Sequence, residues 1–163
     1  MGVPAPDYLK LLSAFVEHGV DFIIVGGVSA VLHGAPVTTF DLDMVHSRSP
    51  DSIGRLLSAL QDLDAYYRGR GDQRLRPTAE RLASSGHQLL MTRLGPIDLL
   101  GTIGAGHDYE TLLKHTLEIK VSDMSVRILD LETLIRTKVE LDRDKDRAVI
   151  PVLRRTLEEK SKK

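Results

Sequence analysis

Two aspartates separated by one residue, Asp41 and Asp43, form the pair in this sequence best suited to chemistry. Side chains alternate faces along a β-strand, so residues i and i+2 share a face with their carboxylates a few ångströms apart. Left alone, such a pair repels and the pKa of one member rises. A divalent cation removes that cost. Hard carboxylate oxygens in small number, completed by substrate phosphates, suit Mg2+ or Mn2+. The competing reading is a solvated strand face, since an Asp-x-Asp triplet by itself says little. A second feature lies upstream, where Gly26-Gly27 follows the apolar run Phe22-Ile-Ile-Val25. Glycines there let the backbone approach a ligand closely, and the following amides can cradle a phosphate. Ser29 adds a hydroxyl donor at the start of a short helix. An ordinary strand–helix turn also uses paired glycines, so the weight rests on the conjunction of strand, Gly-Gly, short helix and acidic strand.

Regular elements must hold these residues. Helical spacing from Asp7 to His18 places Leu9, Leu12, Phe15 and Val16 toward a core, and Gly19 supplies a stop. Asp21 to Val25 reads as a buried strand entering the glycine turn, and Ser29 to His33 as a brief helix ended by Gly34 and Pro36. In a strand over Phe40 to Val45, Phe40, Leu42 and Met44 share an apolar face, with Asp41, Asp43 and Val45 opposite. Ser49-Pro50-Asp51 opens a helix to about Leu63, with Ile53, Leu56, Leu57 and Leu60 inward. Tyr66 to Arg81 is polar and loop-like, carrying Arg68, Arg70, Arg74, Arg76 and Arg81 against only Asp72 and Glu80. Strands are expected near His87–Thr92 and Ile97–Leu100, turning at Gly95-Pro96. A Gly-rich loop follows over Thr102–His107, then a short helix over Tyr109–Lys114 and the start of a strand at Ile119 and Val121. A strand over Met124–Leu129 leads to a helix capped by Asp130, with Thr133 at its third position, ending near Leu141. A final helix spans about Lys145 to Lys160, with Val149, Ile150, Leu153 and Leu157 inward and Pro151 positioned to kink or split it. The expected fold is α/β (α+β), a single domain over residues 1–163 with a mixed β-sheet flanked by helices.

Gly26-Gly27-Val28-Ser29 followed by Asp41-Leu42-Asp43 resembles the signature of the DNA polymerase β superfamily of nucleotidyltransferases. That resemblance implies a third carboxylate on a neighbouring strand. Asp98, in Gly95-Pro-Ile-Asp-Leu-Leu, fits it, because Ile97 and Leu99 can pack inward while Asp98 faces the acidic pair. Leu129-Asp-Leu-Glu-Thr-Leu-Ile-Arg-Thr-Lys138 with Asp144-Lys145-Asp146-Arg147 is similar to the helical segments of small bacterial nucleotidyltransferases related to the AbiEii toxins. The resemblance makes Asp41, Asp43 and Asp98 the metal-binding and catalytic residues, and Gly26, Gly27, Ser29 and Lys138 the nucleotide-binding ones. It implies magnesium-dependent transfer of a nucleoside monophosphate from a nucleoside triphosphate such as ATP to a hydroxyl, with RNA or protein as acceptor and a separate antitoxin as partner. Lys138 is equally readable as a side chain snorkelling from the apolar stripe, and Lys145 and Asp146 as surface charges of a first helical turn. His33 stands where such proteins often carry a basic residue, and it either takes a phosphate or ends the short helix.

Composition narrows the alternatives. Aromatic residues are 4% of the chain, with no Trp, so base-stacking platforms for single-stranded nucleic acid are few. A formal net charge of −1 argues against nucleic-acid binding by bulk charge, leaving the arginines between Arg68 and Arg81 as a candidate local patch. With no cysteine, thiolate catalysis and Cys-based zinc sites are excluded. No stretch approaches the roughly 20 apolar residues of a membrane span, and Met1 to Lys10 lacks signal-peptide character, so a cytoplasmic location is expected. The rival from another class is a non-catalytic module on the same fold, binding a nucleotide or a partner.

Overall fold

The computed structural model of the chain describes residues 6–162. Asp7 caps the first helix, α1 (Tyr8–Glu17), by accepting from the Lys10 amide at 3.1 Å. The helix buries Leu11, Leu12 and Phe15, while Leu9, expected inward, is exposed. β1 (Phe22–Val25) is buried at every position and runs straight into α2 (Gly26–Leu32), which starts at the glycines rather than at Ser29.

β2 (Leu42–His46) begins later than its sequence pattern suggests, and Phe40 is 77% exposed instead of lying on the apolar face. The reason is the length of its neighbour. β1 pairs antiparallel with β2 only as far as Val25 opposite Asp43, because the chain turns away at Gly26. Phe40 and Asp41 therefore lie past the end of that ladder.

α3 (Pro50–Asp62) has proline in its first turn and Ser49 as its cap. The segment expected to be loop contains a two-residue strand, β3 (Tyr66–Tyr67), and one helical turn, α4 (Ala79–Leu82). β4 (His87–Thr92) and β5 (Gly95–Leu100) are joined at Arg93-Leu94, not at Gly95-Pro96, both of which are paired within β5. Thr92 fixes that turn: its hydroxyl donates to the Gly95 carbonyl at 2.7 Å and accepts from the Leu94 amide at 3.1 Å.

α5 (Tyr109–Leu112) continues into a 3-10 turn over Leu113–His115. β6 (Thr116–Val121) then ends, rather than begins, at Ile119 and Val121. β7 (Met124–Leu129) leads into α6 (Leu131–Leu141), whose cap Asp130 accepts from the Thr133 amide at 2.7 Å. α7 (Asp144–Ser161) runs unbroken through Pro151, which sits on its exposed side.

The strands form one seven-stranded sheet in the order β3-β4-β5-β2-β1-β7-β6. It is mixed, with β1–β7 and β2–β5 parallel and the other pairs antiparallel. Alternating side chains feed two cores. Phe22, Ile24, Leu42, Met44, Ile97 and Leu99 join α1 and α3 residues on one face. Ile23, Val25, Val45, Leu100 and Leu129 join Leu134, Ile135, Ile150 and Leu153 of α6 and α7 on the other. Asp43 alternates with Leu42 and Met44, and Asp98 with Ile97 and Leu99, so both carboxylates emerge toward the α6–α7 side.

Candidate active site

In the parallel pairing of β2 with β5, Asp43 stands opposite Asp98, and Asp41 lies just before β2 begins. One carboxylate oxygen from each of Asp41, Asp43 and Asp98 falls within 4.8 Å of the others. Burial, followed by the like charges of Asp41 and Asp98, pushes the Asp43 carboxyl up to about 8. Burial and the charge of Asp98 also raise Asp41, with Arg68 pulling the other way. Asp43 Oδ1 is buried with no hydrogen-bond partner among the described residues. A converging set of hard oxygens, on side chains one of which also carries a buried unsatisfied oxygen, fits a divalent cation, and Asp41, Asp43 and Asp98 are the residues that would hold it.

Gly26 explains how the turn reaches this cluster. Its φ is +66°, and a Cβ there would run into Asp43 Oδ2 and stand 3.0 Å from Asp43 Cβ. A Cβ on Gly27 would come within 2.8 Å of the Thr39 side chain. The backbone at both glycines is thus pressed against the strand and loop carrying the carboxylates. Ser29 behaves differently from expectation. It is fully buried, and its hydroxyl donates to the Leu129 carbonyl at 3.3 Å, tying α2 to the end of β7 instead of facing the cluster. The same carbonyl accepts from His33 Nε2 at 2.7 Å, while His33 Nδ1 accepts from Lys160 Nζ at 2.7 Å. Both ring nitrogens of His33 are thereby engaged as it caps the C-terminus of α2, and burial holds the ring below its usual pKa.

Lys138 projects from α6 against Asp146 of α7, with Nζ 3.7 Å from Oδ1. Asp146 is not a surface charge, being only 1% exposed. Arg143 grips it in a fork, Nε to Oδ2 at 2.7 Å and Nη2 to Oδ1 at 3.2 Å. Burial works to raise Asp146, but the hydrogen bonds and charge of Arg143, with Lys138, hold it below the ordinary carboxylate range. Burial lowers the Lys138 ammonium despite the pull of Asp146. Two clefts share Gly26, Asp43, Lys138 and Arg143. One, of about 170 Å³, is walled largely by Leu100, Ile103, Leu134 and Leu141. The other, of about 260 Å³, adds Gly27, Thr38, Lys145 and Asp146.

Sequence reasoning missed Arg68 as a site residue. Immediately after β3, its guanidinium bonds Asp98 Oδ1 through Nη2, with Nη1 4.0 Å from Asp41 Oδ2. The aromatic doublet Tyr66-Tyr67 before it was the available signal, since β3 is too short to show a period. Other arginines of that segment are engaged away from the carboxylates. Arg74 lies over the Tyr66 ring, Arg76 pairs with Asp64 at 2.7 Å, and Arg81 lies over the Tyr67 ring.

No protein-family model and no curated protein matches the sequence. Solved structures do match the fold. A candidate nucleotidyltransferase of Thermotoga maritima, TM1012, aligns over 94% of each chain at 17% identity with a TM-score of 0.59. ANT(2'')-Ia, crystallised with adenylyl-2''-tobramycin, aligns over 92% of this chain and 87% of its own at 15% identity with a TM-score of 0.58. The chain has the nucleotidyltransferase fold. Among the described residues, no helix is long and apolar enough to cross a membrane.

Proposed function

We infer that this protein is a magnesium-dependent nucleotidyltransferase, moving a nucleoside monophosphate from a nucleoside triphosphate to a hydroxyl acceptor. The observation that carries the reading is the meeting of Asp41, Asp43 and Asp98 on adjacent strands beside the bare backbone of Gly26. The triphosphate is assigned to the cleft lined by Gly26, Gly27, Lys138, Arg143 and Lys145, where cations and side-chain-free backbone meet its charge. The apolar cleft walled by Leu100, Ile103 and Leu134 takes the base or sugar. A bound divalent ion would neutralise the phosphates and lower the pKa of the acceptor hydroxyl. Asp98, paired with Arg68 across from Asp43, is the residue assigned to accept the acceptor's proton.

ATP is the donor we favour, by likeness to the adenylyl product bound by ANT(2'')-Ia. The sequence resemblance to AbiEii-related enzymes supports an RNA or protein hydroxyl as acceptor, an antitoxin as partner and a cytoplasmic site of action. A second reading, a nucleotide-binding module without turnover, draws on Arg68, which already pairs with two of the carboxylates. Labelled nucleotide transfer in magnesium, with wild type and Asp98→Asn, separates the two. Transfer by wild type, with turnover in the variant falling further than its triphosphate affinity, supports catalysis. Binding without transfer to any hydroxyl acceptor supports the module.

A further inference from the structure

Arg68 is the one cation bonded directly to the carboxylate cluster among the described residues. Its guanidinium reaches Asp98 with one nitrogen and Asp41 with another, bridging the two carboxylates that flank Asp43. Three features make this an exchangeable occupant. The Arg68 amide is anchored, donating to the Leu89 carbonyl at 3.0 Å, so the side chain can leave without moving the strand. The guanidinium arm is imperfectly held, since Nε is buried with no partner. Gly69 and Gly71 follow with φ of +79° and +59°, and nothing stands within 4 Å of where a side chain would sit at either, so the turn beyond Arg68 is not packed in.

A guanidinium and a divalent cation would satisfy the same oxygens, and two carboxylates do not hold both in one place. We propose that Arg68 is the resident counter-cation of the metal-free cluster, which a divalent ion must displace before the site becomes competent. This rests on the reading of Asp41, Asp43 and Asp98 as metal ligands. The arginine keeps the carboxylates converged when no ion is bound, and it weakens metal binding by competing for Asp98 and Asp41. Arg68 is therefore a positioning residue that sets the metal threshold of the enzyme.

The test is direct titration of Mn2+, without nucleotide, on wild type, Arg68→Ala, Arg68→Lys and Asp41→Asn, followed by calorimetry and by the paramagnetic signal of free manganese. Arg68→Ala is expected to bind manganese about tenfold more tightly than wild type, the size of one charge-assisted hydrogen bond no longer competing. The same variant should melt lower than wild type without metal, and gain more on adding it. Arg68→Lys should fall between the two, because an ammonium lacks the bridging fork. Equal or weaker manganese binding by Arg68→Ala, with Asp41→Asn still abolishing it, overturns the displacement and leaves the metal site standing. Failure of wild type and Arg68→Ala alike to bind manganese overturns both.

Discussion

Asp98 stands directly across from Asp43 in the parallel ladder of β2 and β5. That register gathers carboxylates from residues far apart in sequence. It also sets the electrostatic problem of the site, because burial and the neighbouring aspartates raise Asp43 to about 8. The protein tolerates this because Arg68 supplies one positive charge and the reaction, on our reading, supplies another.

Gly26 tests the fit between turn and carboxylate. A side chain there requires a left-handed residue to carry a Cβ, costing about 1–2 kcal/mol, and drives it into Asp43. Gly26→Ala should lower the unfolding free energy by about 2 kcal/mol or more and abolish metal binding. Unaltered metal affinity in this variant would mean that the turn does not shape the site.

Asp146 is nearly inaccessible and joins Lys138 to Arg143. Removing the carboxylate takes the shared partner from Lys138 and the half-exposed Arg143, a loss on the order of 1–2 kcal/mol once solvent screening is counted. Asp146→Ala should melt well below wild type, and at temperatures where it stays folded its triphosphate affinity should fall. A variant as stable as wild type would show that the junction does not depend on this pair.

The pH dependence of stability has two opposed parts. His46 is buried, and burial lowers its pKa below 6.5, as it does for His33. The unfolded chain then takes up protons that the folded one resists, so the contribution is intact above pH 6.5 and lost as pH falls below it. Asp43 acts in reverse. Its folded pKa of about 8 lies above the usual 3.8, so without metal its contribution declines as pH rises from about 4 through 8. In chelator, thermal unfolding from pH 5 to 9 should show His46→Phe flattening the acid side and Asp43→Asn flattening the decline toward pH 8. Parallel curves for all three proteins would contradict these assignments.

Much of this site is legible before any coordinates. Alternation along β2 and β5 separates Asp43 and Asp98 from the apolar residues between them, and the structure keeps that separation. The helix cap at Asp130 follows from a side chain able to satisfy a free amide three residues on, and its carboxylate accepts from the Thr133 amide. What escapes is whatever depends on distant partners. Ser29 looks like a phosphate donor until its hydroxyl is seen to use the Leu129 carbonyl. Arg68 looks like one more loop arginine until the two-residue β3 pairs with β4 and directs it at Asp98. Phe40 fits an apolar alternation, but the ladder it would join stops at Val25.

On our proposal, Asp41, Asp43 and Asp98 hold a divalent ion on which nucleotide binding depends. Calorimetric titration of each nucleoside triphosphate, with and without magnesium, into wild type and Asp43→Asn tests it most directly. The expected result is magnesium-dependent binding of at least one triphosphate by wild type and its loss in Asp43→Asn, with the variant folded. Binding of equal strength in the variant or without magnesium, or no binding of any triphosphate by wild type, would contradict it.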